Sequence, residues 1–270
     1  NITTRAPSFS YEGKAEISVG NLGFKQAKAT VSGPITDRLA VRIGASVTDR
    51  NGTIYNVATD QRVNSQDFLG LKGSLLWKAT DTLSLTLSGD YNLQNPVCCA
   101  QIYAGYGPTQ RAANRQYPAL TAALGYSVPS TDPYDRLTDL DAALRARNEM
   151  GGASLRAEWD LGAGTLTSVS AYRYWDWQPS NDRDFTGLDI TAKSQNPTQQ
   201  KQWTQELRYA QEGQTIDFVV GAFAFHQTIH TTGSQVQGAD ASAWLLNPSS
   251  PLSQIPAVLE GLTADNDIRL

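Results

Sequence analysis

Strict alternation of apolar and polar residues, repeated in segment after segment, limits the fold of this chain more than any other feature. From Leu39 the odd positions read Leu39, Val41, Ile43, Ala45 and Val47, against Ala40, Arg42, Gly44, Ser46 and Thr48 at the even ones. Leu83, Leu85, Leu87, Gly89 and Tyr91 oppose Ser84, Thr86, Ser88, Asp90 and Asn92 in the same way. Phe9, Tyr11, Ala15, Ile17 and Val19 repeat the pattern, as do Ala153, Leu155, Ala157, Trp159 and Leu161. Side chains on a strand point to opposite faces in turn, so each segment has one apolar and one polar face. A helix would group its apolar residues three and four apart. These segments are therefore strands.

Nine of them are predicted, near residues 9–21, 25–33, 39–56, 68–79, 83–94, 151–161, 165–178, 201–211 and 215–231. Residues 165–178 and 215–231 carry apolar groups on both faces, which leaves their orientation open. Most of the nine reach the roughly 9–11 residues with which a tilted strand crosses a bilayer. Strands of soluble proteins are commonest at about 5–6 residues. The connections fall into two kinds. Gly33–Arg38, Ala79–Thr82, Leu161–Thr165 and Gln211–Gln214 are tight turns rich in Gly, Asp and Thr. The connections after Asn56, Gln94, Pro179 and Gly233 are long, the second running to Met150. Beyond the brief Leu22–Phe24 connection, short and long alternate. In an up-and-down sheet this puts every tight turn at one end and every long loop at the other, as in outer-membrane barrels.

Two architectures satisfy this pattern: a soluble barrel or hairpin stack with its apolar face inward, and a membrane barrel with that face toward lipid. Strand length and loop asymmetry favour the membrane barrel. So does a polar face bearing Arg42, Lys72, Arg156, Glu158, Glu206 and Arg208, which needs water. Trp77, Tyr91, Trp159, Trp203 and Tyr209 near strand ends suit interfacial girdles. No run approaches the ~18 apolar residues of a spanning helix. A net charge of -4 argues against general nucleic-acid binding.

At this point several stretches resemble the TonB-dependent outer-membrane receptors, in which an N-terminal plug sits inside a barrel of about 22 antiparallel strands. Asn1–Pro7 is similar to the last plug strand, Val31–Arg42 to the first periplasmic turn with its flanking strands, Asp49–Asn56 to the end of the third strand, and Gln205–Arg208 to the start of a later one. The resemblance implies an all-β chain: the end of the plug over residues 1–8, then over 9–270 an antiparallel up-and-down transmembrane barrel segment of about nine strands, too few to close. Residue 1 is not Met, and Thr263–Leu270 reads as the middle of a loop, the fifth outside one. The chain is thus expected to be a segment of something longer. By resemblance, the parent lies in the outer membrane of a Gram-negative bacterium, surrounded by its lipid. It would bind a scarce nutrient such as a ferric siderophore, haem, a cobalamin or a saccharide, and import it with energy from the TonB–ExbB–ExbD complex acting on the plug. No catalytic residue, cofactor or nucleic-acid partner is implied.

The residues themselves offer few other sites. Tyr103, Tyr106, Arg111, Arg115, Tyr117 and Tyr126 lie in the long third loop. Tyr and Arg there suit stacking on, and bidentate hydrogen bonding to, planar or anionic ligands. The same residues also suit plain loop packing. Leu137, Leu140 and Leu144 stand at helical spacing and predict a short packing helix. Cys98 and Cys99 are adjacent: either a strained vicinal disulfide, loop thiols, or halves of bridges to cysteines outside this chain. His226 and His230 are four apart, but on a strand that is ~13 Å, too far for one metal ion. They read as a rim or lumen pair. Trp175, Trp177 and Trp244 are either sugar platforms or girdle and loop-base aromatics, and Asp182-Arg183-Asp184 reads as a solvated loop. No nucleophile elbow, phosphate loop or dinucleotide fingerprint is present. Two other classes remain open here: a passive porin or structural barrel, and a soluble β-rich carbohydrate-binding module.

Overall fold

The computed structural model describes residues 4–213, 215–247 and 250–270. The first strands are β1 (Glu12–Val19), β2 (Lys25–Thr36) and β3 (Leu39–Arg50), followed by the short pieces β4 (Ile54–Asn56) and β5 (Gln61–Val63). Then come β6 (Gln66–Lys78), β7 (Leu83–Gln94), the two-residue β8 (Leu137–Thr138), β9 (Arg145–Asp160) and β10 (Thr165–Ser180). The chain continues through β11 (Lys193–Gln195), β12 (Thr198–Gln211), β13 (Phe218–Val236) and β14 (Thr263–Arg269). The long strands follow sequence order, β1-β2-β3-β6-β7-β9-β10-β12-β13, each antiparallel to its neighbours. The upper end of β13 carries β11 on one side and β14 on the other. Among the described residues the sheet does not close on itself. All nine alternating segments are strands of this one sheet.

Register fixes the faces. Ile43, Leu75, Leu87, Leu155 and Leu207 share one face, and Arg42, Ser74, Ser88, Arg156 and Glu206 the other. The apolar side has no protein over it: Ile43 is 54% exposed and Leu87 50%, although both sit mid-strand. A continuous uncovered apolar belt of this kind is foreign to a soluble monomer and is what lipid covers in a membrane barrel. The same register settles the two ambiguous strands. In β10, Leu166, Ser168, Ser170, Tyr172 and Tyr174 lie on the apolar face. In β13, Val220, Ala222, Ala224 and His226 do, while Phe223 and Phe225 project to the polar side with Glu206 and Thr204. Trp77, Trp159 and Tyr209 form an aromatic row on the apolar face near the tight turns. Tyr91, Tyr174, Tyr172 and Trp203 form a second toward the loops.

The turn end is tied together. Arg38 Nη2 reaches Asp81 Oδ1 at 2.9 Å, linking the β2–β3 and β6–β7 turns, and Lys78 N–H donates to the Arg38 carbonyl. In the β9–β10 turn Gly162 takes φ 82°, a left-handed conformation that costs glycine nothing, and donates to Asp160 Oδ1. On the polar face, residues 4–8 carry no regular structure but are held to the wall. Arg42 Nε donates to the Ala6 carbonyl, Arg42 Nη2 pairs with Glu12 Oε2 at 2.9 Å, and Ser8 N–H donates to Ser32 Oγ. The expected plug strand falls partly on residues 1–3, which lie outside the described residues; residues 4–8 are not a strand.

Several boundaries differ from expectation for identifiable reasons. The third strand stops at Arg50, because Asn51–Thr53 turn the chain out of the sheet. β4 then pairs with β5 and, in parallel, with β8, forming a separate three-stranded sheet above the wall. β9 starts at Arg145, six residues before the predicted start, because Trp177–Ser180 of β10 offers it backbone partners. Asn196-Pro197 separates β11 from β12, since Pro lacks the N–H a ladder needs. Thr263–Leu270 is not loop: β14 pairs with β13 from Thr263↔Val236 to Arg269↔His230. Leu137, Leu140 and Leu144 form no helix. Leu137 is in β8 and Leu140 is completely buried, while the loop's helix is α1 (Tyr117–Ala123).

Candidate functional site

The buried hydrophobic cluster of this molecule lies not in its long-stranded sheet but in the long connections at one end of it. Ile54 of β4, Val63 of β5, Ala100 and Leu140 form a buried cluster, against which Ile102, Leu144 and Phe185 pack. Three loops thus share one interior. Polar clamps fix its backbone. Buried Asn56 donates to the Leu140 carbonyl at 2.8 Å. Asn64 grips Ala100 at both ends, accepting from its N–H at 2.8 Å and donating to its carbonyl at 3.0 Å. Ser65 Oγ accepts from Val97 N–H. Between these held positions lie Cys98 and Cys99, joined as a vicinal disulfide across a cis peptide bond.

Beside this core sits a ring cluster. Tyr117, at the start of α1, stacks on Tyr103 and Tyr106 with centroids 5.8 and 5.7 Å away, and meets Trp244 edge-on at 6.0 Å. Trp244 belongs to α2 (Ala241–Leu245), in the loop between β13 and β14. Arg115 joins the same two loops by donating from Nη2 to the Leu245 carbonyl at 2.8 Å. Two polar atoms here are buried without hydrogen-bond partners: Tyr117 Oη and Arg115 Nε. Burial, with Tyr103 and Asp139 nearby, pushes the Tyr117 phenol above its usual range. Aromatic faces, one guanidinium and two unspent donors are the equipment for holding a planar or anionic group. Of the six predicted residues, the structure brings Tyr103, Tyr106, Arg115 and Tyr117 together. Arg111 is exposed and is held through its backbone, its N–H donating to Thr109 Oγ1 and its carbonyl accepting from Gln116 Nε2. Tyr126 belongs to another group.

That group joins the third and fourth loops. The Tyr126 hydroxyl accepts from Gly187 N–H and bonds Asp139, and burial drives its phenol far above the ordinary value. Asp182 is completely buried, and its Oδ1 accepts from Phe185 N–H at 2.7 Å. The expectation of a solvated Asp182-Arg183-Asp184 holds for exposed Arg183 and fails at Asp182, with Asp184 partly buried, because the β10–β11 loop folds inward onto the third loop. Asp141 bonds the Asp182 carboxyl, and burial together with the charges of Asp182 and Asp184 pushes it up to about 7. Burial raises Asp184 to about 6. Two carboxyls in contact hold together only by sharing a proton. Among the described residues, no three acidic, His or Cys side chains are disposed to hold one metal ion.

The remaining candidates are dispersed. His226 and His230 project from the apolar face rather than into the lumen, and His230 Nε2 lies 2.9 Å from Asp267 Oδ1 of β14. Trp175 and Trp177 lie on the polar face, which removes them from the lipid girdle, and Trp175 Nε1 donates to Asn148. Sequence reasoning missed Trp244 as a partner of Tyr117, because a contact spanning that much chain leaves no periodic trace.

Comparison with solved structures decides the architecture. The chain is similar to the ferric yersiniabactin uptake receptor FyuA of Yersinia pestis over 87% of its length and 33% of that chain, with a TM-score of 0.68 at 16% identity. It is similar to the siderophore receptor PiuA of Acinetobacter baumannii over 98% of its length and 38% of that chain, with a TM-score of 0.64 at 12% identity. The ferric-catecholate import receptor Fiu of E. coli K12 aligns over 98% and 38%, with a TM-score of 0.54 at 14% identity. The fold is that of the TonB-dependent outer-membrane receptors. In such a receptor barrel the apolar face meets lipid and the polar face lines the interior, which agrees with the faces seen here. The chain spans about a third of the length of the solved receptors it matches. No family model matches the sequence, and no curated protein does.

Proposed function

We propose that this chain is part of a TonB-dependent receptor that binds a ferric siderophore or similar scarce nutrient with its outside loops and imports it. On this reading residues 9–270 form the first part of the barrel, and residues 1–8 the end of a plug on which TonB, energised by ExbB and ExbD, acts. The protein performs transport rather than bond chemistry, and its lipid-facing wall anchors it in the outer membrane. The carrying observation is the cluster of Tyr103, Tyr106, Tyr117, Trp244 and Arg115, with two buried donors unspent, on loops at one end of a receptor-type wall. Unpaired donors in a dry site cost free energy until a ligand takes them. The receptor folds that resemble this chain belong to proteins described as siderophore receptors, which supports that ligand class.

The test uses the whole protein that carries this chain, in detergent, titrated with ferric catecholate, hydroxamate and phenolate siderophores while Trp fluorescence is followed. One class is expected to quench Trp244 saturably, and Arg115→Ala to weaken that binding. No saturable quenching by any class, with no growth defect on iron limitation when the protein is removed, would sink the proposal.

A further inference from the structure

The ring cluster is divided between two loops, and a third loop bridges them. Tyr103, Tyr106, Tyr117 and Arg115 belong to the third loop (residues 95–144), whereas Trp244 and the Leu245 carbonyl belong to the fifth (237–262). The fourth loop (181–192) is bonded to both. Its tie to the fifth is a closed set of hydrogen bonds. Gly238 N–H donates to the Ile190 carbonyl at 3.0 Å and Asp240 N–H to the Asp189 carbonyl at 2.8 Å. Asp189 Oδ2 accepts from Ala239 N–H, and Asp240 Oδ2 accepts from Asp189 N–H. Every donor in this set is a backbone N–H, which does not titrate.

The tie to the third loop is of another kind. Asp141 bonds the carboxyl of Asp182, which is completely buried. Beside the pair, the Tyr126 hydroxyl accepts from Gly187 N–H, and Asp139 lies so close that a Cβ on Gly187 would stand 2.6 Å from its Oδ2. The titratable groups facing the pair are Asp139 and Tyr126 from the third loop and Asp184 from the fourth. Arg183 is exposed, and the adjoining strand ends bring Arg145, opposite Ser180, and Lys193, opposite Val236. Among the described residues none of these cations forms an ion pair with Asp139, Asp141, Asp182 or Asp184. Two carboxyls in contact without a cation need a shared proton. Asp141 is an exposed residue, so that proton exchanges with bulk water. Partial desolvation, and then the charges of Asp182 and Asp184, keep it bound up to about pH 7, against 3.8 for an ordinary aspartate.

We infer that the proton shared by Asp141 and Asp182 fastens the loops into one cap, joining the third loop to the fourth and through it to the fifth, so that the two halves of the ring cluster meet in mild acid and part toward neutral pH. Ligand capture is thereby proton-linked, a consequence that rests on the ring cluster being the ligand site. The sign follows from the proton count. The fastened cap holds more protons than the open one between about pH 4 and pH 7, so its share falls across that window and levels off above it. A ligand that needs both halves has its apparent affinity reduced by the assembled fraction.

The whole protein that carries this chain, in detergent, is titrated with ferric catecholate, hydroxamate and phenolate siderophores at pH 5 and at pH 8. Wild type is compared with Asp141→Asn and Asp182→Asn, each of which sets one amide donor against one carboxylate and so makes the shared-proton arrangement permanent. Wild type is expected to bind about tenfold or more weakly at pH 8, since one linked proton is worth up to about tenfold per pH unit. Both variants should lose most of that difference, Asp184 supplying the remainder. The protonation of the siderophore itself is common to the three proteins and cancels between them. Far-UV circular dichroism confirms the fold of each variant. Wild-type affinity that does not change with pH overturns the inference, as does an equal change in wild type and both variants. A ligand-free measurement separates this inference from the function proposed above. Spin labels at Asn114→Cys and Glu260→Cys, both exposed, should move apart from pH 5 to pH 8, and should not do so when Asp141→Asn is added. Labels that keep one distance overturn the inference. Labels that move apart in a protein binding no siderophore support it, and sink the ligand assignment instead.

Discussion

Tyr117 combines contacts with three rings and a hydroxyl that is buried and unpartnered. A phenol in that state costs stability until something accepts its proton. Tyr117→Phe is therefore expected to stabilise the unliganded cap by about 1 kcal/mol, and to weaken ligand binding at the same time. Opposite signs in thermal denaturation and in ligand titration check this. A loss in both would mean the hydroxyl is satisfied in the free protein. Arg115→Ala removes a charged donor and the tie to Leu245, and about a tenfold to hundredfold loss of affinity is expected. At this scale the sequence was half legible. Tyr and Arg in a long loop pointed to recognition, and four of the six residues named do meet. Asp182 misled, because nothing in Asp-Arg-Asp reveals that its loop turns inward.

Elements were the most legible level, since period two is a local signal and survives any tertiary context. It failed where a strand is made by its partner. Thr263–Arg269 carries Asp265 and Asp267 on one face, and only the ladder to β13 makes it a strand. Arg145–Met150 likewise depends on β10. The loops packed into a cap left no local pattern at all. Their junction should respond to pH. The carboxyls of Asp141 and Asp184 are raised above their ordinary 3.8, to about 7 and about 6, so the folded junction holds more protons than the unfolded loops between those values. Its stability is then full in acid and falls as pH rises from about 4 to about 7. Amide hydrogen exchange of residues 139–142 and 182–191, corrected for intrinsic rate, should show more protection at pH 5 than at pH 8. Asp141→Asn should flatten that difference. Leu140→Ala, which empties the centre of the cap, should cost it about 2–5 kcal/mol. Limited proteolysis should then cut the third loop while leaving β7 and β9 intact.

The whole molecule is a wall without an interior, carrying a cap that has one. A wall of this kind is stable only with something apolar against its exposed face. Acyl chains brominated at mid-depth should quench Trp77, Trp159 and Trp203, all on the apolar face, and leave Trp175, Trp177 and Trp244 bright. Equal quenching of both sets would contradict the assignment of faces. Wall and turns were readable because membrane thickness and strand pleat impose simple periods. The cap was not, because its contacts join positions scattered across the chain.

The shared core of Ile54, Val63, Ala100, Leu140 and Phe185 makes the exterior a mosaic surface rather than a set of separate fingers. An antibody raised against a linear peptide from residues 101–136 would meet that stretch in a shape the intact protein does not display. Antibodies, phages or toxins that do grip the native surface would contact patches assembled from several loops. A substitution in one loop's share of that core then disturbs the packing of the others.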